Sequence, residues 1–361
     1  MSPTKKTTST APTIGADQIA LLERLCNAIG VSGNESEVRA IVLEQLKPLT
    51  EDVRVDALGN VLAIKHAKGT PSLKVMLAAH MDEVGFMLVN EDGDGLFEFR
   101  TVGGIDPRQL PGKQVLVGKD HLPGVIGARP IHLIEHDEME VTMPVKSLRI
   151  DIGPGGKGKA NPGDWAGFAT QFMQVGPSLR AKALDNRLGV CTVLEMLKTA
   201  PEQLELMAAF TVQEEIGLRG ARVAGYTLNP DLAIAVDSTP ALDLPMWDNT
   251  ENDRYNTKLG QGPAIYISDA GTISDPRLVR YLAATGEKYG IPFQFRQPGG
   301  GGTDAGSIHK QREGIPSVSL SVPGRHAHTA ITIARLSDWQ NTLNLLHAAL
   351  TDITPSVLSQ R

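Results

Sequence analysis

The chain has 361 residues, and its 35 Lys and Arg against 41 Asp and Glu give a formal charge of −6. That length predicts two domains or three, and the acidic balance argues against nucleic acid as the main partner, which selects a basic face. Aromatic residues make up 4%, too few for a groove of stacked rings, and no apolar run approaches the roughly 20 residues that span a bilayer.

Residues 1–14 are rich in Ser, Thr and Pro, carry Lys5 and Lys6, and lack an apolar h-region. They predict a disordered tail rather than a secretory signal. From Asp17, Ile19, Leu22, Leu25, Cys26 and Ile29 recur at helix spacing up to Gly30. Asn34 is placed to cap a second helix running to about Leu46, before Pro48. VRVDALGNVLAIKH reads as a hairpin turning at Gly59-Asn60, and KVMLAA as a short buried strand. From 92 to 175 the short runs LFEFRTV, KQVLVG, PGVIGAR and SLRIDIG are broken by Gly and Pro, with no long helical period. They predict a small β domain. Beyond 176 come the helix LGVCTVLEMLKTA and the strands LMAAFTV, DLAIAV and PAIYIS. The helix PRLVRYLAATGEKYG, the strands IPFQF and SVSLSV, and a final helix from about Ser337 follow. Apolar strands alternating with helices predict an α/β sheet covered on both faces. The expected organisation is one α/β domain, 15–91 and 176–355, interrupted by a β insertion at 92–175. Cys26 and Cys191 both fall in helical segments and read as buried small hydrophobes; two cysteines exclude a disulfide framework and point to a reducing, cytoplasmic compartment.

The chemistry sits where the strands end. KVMLAA runs into His80-Met81-Asp82-Glu83, LMAAFTV into Gln213-Glu214-Glu215, DLAIAV into Asp237, and SVSLSV into Pro323-Gly324-Arg325-His326-Ala327-His328. Open α/β sheets bind ligands beyond the carboxyl ends of their strands. Asp185, in KALDNR ahead of a helix, is a fifth candidate. Taken singly, such a His is a surface residue and such an Asp a helix cap. Together, two His and three carboxylates on one edge suit two divalent ions sharing a carboxylate, and imidazole with carboxylate suits zinc, cobalt or manganese. Two ions about 3.5–4 Å apart clamp a water, lower its pKa and stabilise an oxyanion. Glu214, beside Glu215, is free to act as general base, and Asp82 is placed to orient His80 from behind.

Two further patterns read as decoys. Gly153-Pro154-Gly155-Gly156-Lys157-Gly158-Lys159-Ala160 approaches a phosphate loop, but Ala160 replaces the magnesium-binding hydroxyl and Asn161-Pro162-Gly163 blocks the following helix, so a turn is expected. Glu135-His136-Asp137-Glu138 reads as a solvated charged loop.

The segments AAHMDEVGF, KALDNR, QEEIGLRGA, VDS, GGGGTDAG and PGRHAH resemble the tetrahedral-aminopeptidase family, cocatalytic metallopeptidases that include glutamyl and deblocking aminopeptidases. RTVGGIDPRQLPGKQVLVG, DIG and PGDWAGF are similar to that family's β domain, so the resemblance spans about residues 15–355. It implies a mixed-sheet, phosphorylase/hydrolase-like catalytic domain interrupted by a β-barrel-like domain that serves assembly and access. It further implies that His80, Asp185 and Asp237 hold one ion and Asp185, Glu215 and His328 the other. Glu214 would be the base, and Asp82 the partner that orients the His80 imidazole from behind. The Gly299–Gly306 loop resembles the family's substrate-side loop and makes Thr303 and Asp304 weaker candidates for substrate binding. The chain departs from the family's Arg-Tyr-x-His-Ser at Arg325-His326-Ala327-His328-Thr329, so His326 stands in the tyrosine's place, as a substrate-side residue or an alternative ligand. The run Ala330-Ile331-Thr332 replaces an acidic residue. The implied function is a dinuclear metalloaminopeptidase, zinc first among its ions, acting on peptides with a free N-terminus and assembled as a homododecamer. The competing readings are a deacylase or carboxypeptidase of the same site plan, and a polysaccharide hydrolase.

Overall fold

The computed structural model describes residues 11–136, 140–244 and 257–359; Lys5, Lys6, Asp137 and Glu138 lie outside them. Helices α1 (Ala16–Asn27) and α2 (Ser36–Leu46) follow the apolar spacing and bury Leu22, Leu25 and Cys26, and Val38, Val42 and Leu46. Helix α2 starts after Glu35, one residue beyond Asn34, and the Glu35 carboxylate accepts from the Gly33 amide at 2.6 Å. Strands β1 (Asp52–Val55) and β2 (Val61–Lys65) form the expected hairpin. Its turn is organised by Asp56, whose Oδ1 accepts from the amides of Leu58, Gly59 and Asn60 at 2.9–3.0 Å, with Gly59 at φ +106°. Strand β3 (Leu73–His80) follows.

The inserted domain is a closed barrel. Its strands are β4 (Gly85–Gly93), β5 (Leu96–Val102), β6 (Gln114–Val117), β7 (Leu122–Gly127), β8 (Arg149–Asp151) and β9 (Trp165–Phe168), in the order β4-β5-β8-β7-β6-β9. It has its own core, in which Phe86 meets Phe99 and Phe168 edge-on at 5.3 and 5.1 Å. The barrel strands run from Gly85 to Phe168, not from 92 to 175. Only residues 81–84 separate β3 from β4, so no Gly- or Pro-rich linker marks the change of domain, and β10 (Met173–Val175) pairs with β11 (Ser178–Ala181) in the other sheet. The phosphate-loop decoy is a turn of this barrel. The amides of Gly155 and Lys157 donate to Asp94 at 2.7 and 3.1 Å, so a carboxylate of the chain occupies the anion position.

The larger sheet runs β1-β2-β12-β3-β13-β16-β17-β11-β10, with β12 (Leu204–Thr211), β13 (Leu232–Pro240), β16 (Ser317–Arg325) and β17 (Thr332–Arg335). Strands β14 (Ala264–Tyr266) and β15 (Gln294–Arg296) extend from β16 as a short branch. The four central strands, β12, β3, β13 and β16, are parallel, and their near-continuous apolar runs reflect burial on both faces. Along β3, Val75, Leu77 and Ala79 pack into one core with α1, α3 (Leu184–Lys198), α5 (Pro276–Tyr289) and α7 (Leu336–Asp352). Met76 and Ala78 pack into the other with α4 (Arg219–Leu228) and α6 (Ala305–Ile308). Helix α5 carries its stop signals in sequence: Asp275 caps it, Pro276 opens it, and Gly290 closes it at φ +64°.

Residues 11–14, expected to be part of a disordered tail, are tied down in the described chain. Gln340 of α7 accepts from the Ile14 amide at 2.8 Å and donates to the Pro12 carbonyl at 2.9 Å. Among the described residues, no helix is long and apolar enough to cross a membrane.

Candidate active site

Register brings the strand ends together. His80 is level with Thr211 across β3 and β12, and Ala78 with Ala235 across β3 and β13, so their carboxyl ends share one edge. Past β12 the chain turns through Gln213 at φ +55° and delivers Glu214 and Glu215. Past β16 it turns through His326 and His328 at φ +62° and +59°, a sparsely populated conformation for non-glycine residues. Asp185 enters at the head of α3, where Asn186 anchors the segment to the Val236 carbonyl of β13 at 2.8 Å.

His80 Nε2 lies 3.3 Å from Asp185 Oδ1 and 3.4 Å from Asp237 Oδ1. His328 Nε2 lies 3.6 Å from Asp185 Oδ2 and 3.3 Å from Glu215 Oε2. Asp185 thus offers one oxygen to each half of the cluster. The donor atoms of His80, Asp185 and Glu215 all lie within 4.8 Å of one another, as do those of His80, Glu214 and Asp237. Both imidazoles are oriented through Nδ1, His80 on the Asp82 carbonyl at 3.1 Å and His328 on the Gly104 carbonyl at 2.9 Å. A carbonyl only accepts, so Nδ1 carries the hydrogen and Nε2 faces the carboxylates.

Asp82 meets His80 through both its side chain and its main chain. Its carboxylate stands 3.6 Å from His80 Nδ1, and the main-chain oxygen of the same residue makes the hydrogen bond. The carboxylate also accepts from the amides of Glu214 and Glu215 at 3.0 and 3.1 Å and from the Ser32 hydroxyl at 2.6 Å. It fixes the turn that presents the two glutamates.

Charge and burial are in tension here. Burial, with the neighbouring charges of Asp237 and Glu215, pushes the Glu214 carboxyl well above its ordinary range. Burial also pushes Glu215 up to about 8 and Asp304 up to about 7. Burial opposes protonation of the histidines, but Glu214 and Asp237 hold His80 well above its ordinary value, and Asp185 with Glu215 lift His328 to about 10. Against the cost of burial, His328 and His80 hold Asp185 well below the usual carboxylate range. Four carboxylates (Asp185, Glu214, Glu215 and Asp237) crowd two imidazoles that must become cations to compensate. Two divalent cations would neutralise the same four groups, so the donor set fits such ions.

This predicts a pH dependence for the metal-stripped chain. Asp304, Glu215 and His328 bind protons in the folded state that their unfolded counterparts release. Stability therefore falls as pH rises from about 4, through the raised carboxyls near 7 and 8, to His328 near 10. Asp185 has the opposite sign, and its contribution is lost only below about pH 4. The melting temperature of chelator-treated protein should drop steadily between about pH 5 and 9, and added zinc should flatten the profile. A flat or rising profile without zinc would contradict the charge assignment.

The cluster opens into a cavity of about 600 Å³ lined on one side by His80, Asp185, Glu214, Glu215, Asp237 and His328. Ser238, Tyr266, Arg296 and Gly300, Gly301 and Gly302 line another part, so the glycine loop does reach the site. Thr303, Asp304 and His326 are not among the lining residues. Thr303 is buried with its hydroxyl on Ser319 at 2.7 Å, and Asp304 is buried with Oδ2 accepting from Thr211 at 2.5 Å. His326 is exposed and does not line the cavity. Sequence reasoning missed Tyr266 and Arg296, although each ends a short strand, β14 and β15, and the strand-end rule applied to PAIYIS and IPFQF could have found them.

Comparison with known proteins places the chain in a family. The pattern of the M42 glutamyl aminopeptidase family matches residues 59–345. A relative from Acetivibrio thermocellus, named among the aminopeptidases, is 37% identical over 339 residues, covering 92% of this chain and 98% of its own. The structure superposes on an aminopeptidase from the archaeon Desulfurococcus kamchatkensis with a TM-score of 0.88 at 32% identity, covering 95% of this chain and 96% of the other. It superposes on the Pyrococcus horikoshii TET1 peptidase, described as assembling into a tetrahedron or a large octahedral shell, with a TM-score of 0.81 at 31% identity, covering 93% and 100%. The chain belongs to the M42 glutamyl aminopeptidase family, and it is a peptidase of the aminopeptidase type.

Proposed function

We propose that the chain is a dinuclear metal-dependent aminopeptidase that releases the N-terminal residue of peptides. His80, Asp185 and Asp237 would hold one divalent ion, and Asp185, Glu215 and His328 the other. The observation that carries this reading is the division of the Asp185 carboxylate, one oxygen toward His80 and the other toward His328. Imidazole with carboxylate suits zinc first, then cobalt or manganese. Such ions, when bound, polarise the scissile carbonyl and lower the pKa of water.

Glu214 is the general base. It lines the cavity, its amide is fixed by Asp82, and burial raises its proton affinity, which strengthens it as a base. Its carboxylate accepts a proton from the attacking water and passes it to the leaving amine. Asp82 holds Glu214 and Glu215 in place through their amides and stands outside the chemistry. Thr303 and Asp304 support the sheet edge from behind, and the substrate-side wall falls instead to Ser238, Tyr266 and Arg296.

The likeness to the Pyrococcus peptidase supports a homo-oligomer, with twelve copies as the proposed count and the barrel at 85–168 as its assembly and access element. Two buried free thiols, Cys26 and Cys191, support a reducing, cytoplasmic setting.

A panel of aminoacyl p-nitroanilides and N-acetyl amino acids, assayed with and without chelator, tests the activity. Turnover is expected only with a free amine, is lost on chelation, and returns with zinc. Preference for the N-acetyl substrates would favour a deacylase, and indifference to chelator would remove the metal from the reading.

A further inference from the structure

Beneath the ligand cluster lies a second set of charges that the reaction does not use. Lys182 and Arg187 stand at the two ends of KALDNR, on either side of Asp185, and both converge on Glu83, the residue after Asp82. All three are buried, at 5%, 0% and 2% exposure. Lys182 Nζ donates to both Glu83 oxygens, at 2.5 and 2.6 Å, and to the Ala28 carbonyl at 2.8 Å. Arg187 Nη2 reaches Glu83 Oε1 at 3.1 Å, and the Gly30 amide completes that oxygen's partners at 2.8 Å.

The guanidinium also grips the ligand-bearing turn itself. Its Nε donates to the Leu25 carbonyl at 3.1 Å, and its Nη1 donates to the carbonyls of Met81 and, at 3.2 Å, Asp82. The Asp82 carbonyl is the same oxygen that orients His80 through Nδ1. Arg187, two residues after Asp185 in sequence, and His80 therefore share one acceptor. Space for the guanidinium depends on Gly30, where an added Cβ would stand 2.7 Å from Nη2.

A buried ion network is a poor source of net stability, since desolvation offsets its Coulombic gain. Directional hydrogen bonds that tie two loops together are a different matter, because they set relative position. We propose that Glu83, Lys182 and Arg187 form a clamp that fixes the His80–Asp82 turn against the Asp185 segment and thereby sets the affinity for metal. They are positioning residues and not ligands. The proposal rests on the ligand set given above.

The test is the zinc dissociation constant of the metal-stripped, folded chain, measured by competition with a chromophoric chelator, with a thermal melt alongside. Arg187→Lys keeps the charge but loses the fork, and Glu83→Gln keeps the shape but loses the charge; the second serves if the first does not fold. Either is expected to weaken zinc binding by about 10- to 100-fold, the effect typical of residues that orient ligands. A lowered melting point with zinc affinity within twofold of the parent would make the trio merely structural and overturn the proposal. Asp185→Asn, run in parallel, separates the two readings. If it leaves zinc binding intact the ligand set is wrong, whereas if it abolishes binding while the clamp variants do not weaken it, only the clamp is wrong.

Discussion

Glu214→Gln should lower kcat by about 10²- to 10⁴-fold while both metal equivalents stay bound, the range by which a positioned general base accelerates proton transfer. The substitution preserves volume and leaves the Asp82 hydrogen bond untouched, since that bond is to the Glu214 main chain. Glu215, not Glu214, approaches His328, at 3.3 Å. Glu214 does come within ligand range of His80 and Asp237, however, so the metal count is the informative readout. A variant with low kcat, near-parental KM and full metal content identifies the base. Loss of one equivalent would make Glu214 a ligand, and near-parental activity would remove it from the mechanism.

The second large effect is expected at Asp185. Each of its oxygens faces a different histidine, so Asp185→Asn should strip both ions, whereas His328→Asn should strip one. Ions at such a site supply several kcal/mol of charge stabilisation, which corresponds to a fall of about 10³-fold or more in kcat for the Asp185 variant. The two variants differ in surroundings. Asp185 lies at the head of a buried helix, whereas the His328 side chain is 42% exposed and its replacement disturbs little packing. Equal metal loss in both would mean that Asp185 does not bridge.

Much of this site is legible in sequence because its parts obey one rule, that polar residues following a buried parallel strand arrive at the same edge. His80, Glu214, Glu215, Asp237 and His328 all come from that rule, and register then brings them together. What is not legible depends on the direction in which a loop residue turns. Thr303 and Asp304 sit in the expected loop, yet their side chains point under the sheet while Gly300, Gly301 and Gly302 face the cavity. His326 and His328 are two residues apart and both left-handed, but only His328 lines the cavity. The start of the barrel at Gly85 is hidden because only residues 81–84 separate a sheet strand from a barrel strand, with no Gly- or Pro-rich linker between them. The Glu83–Lys182–Arg187 network, assembled from residues about 100 positions apart, becomes visible only when the two loops are seen side by side.

The most direct measurement is the metal content of the purified chain after zinc loading and desalting, read by elemental analysis beside an accurate protein concentration. Two equivalents per chain in the parent, one in His328→Asn and none in Asp185→Asn are expected from a shared carboxylate between two ions. One equivalent in the parent, or two retained in Asp185→Asn, would contradict it.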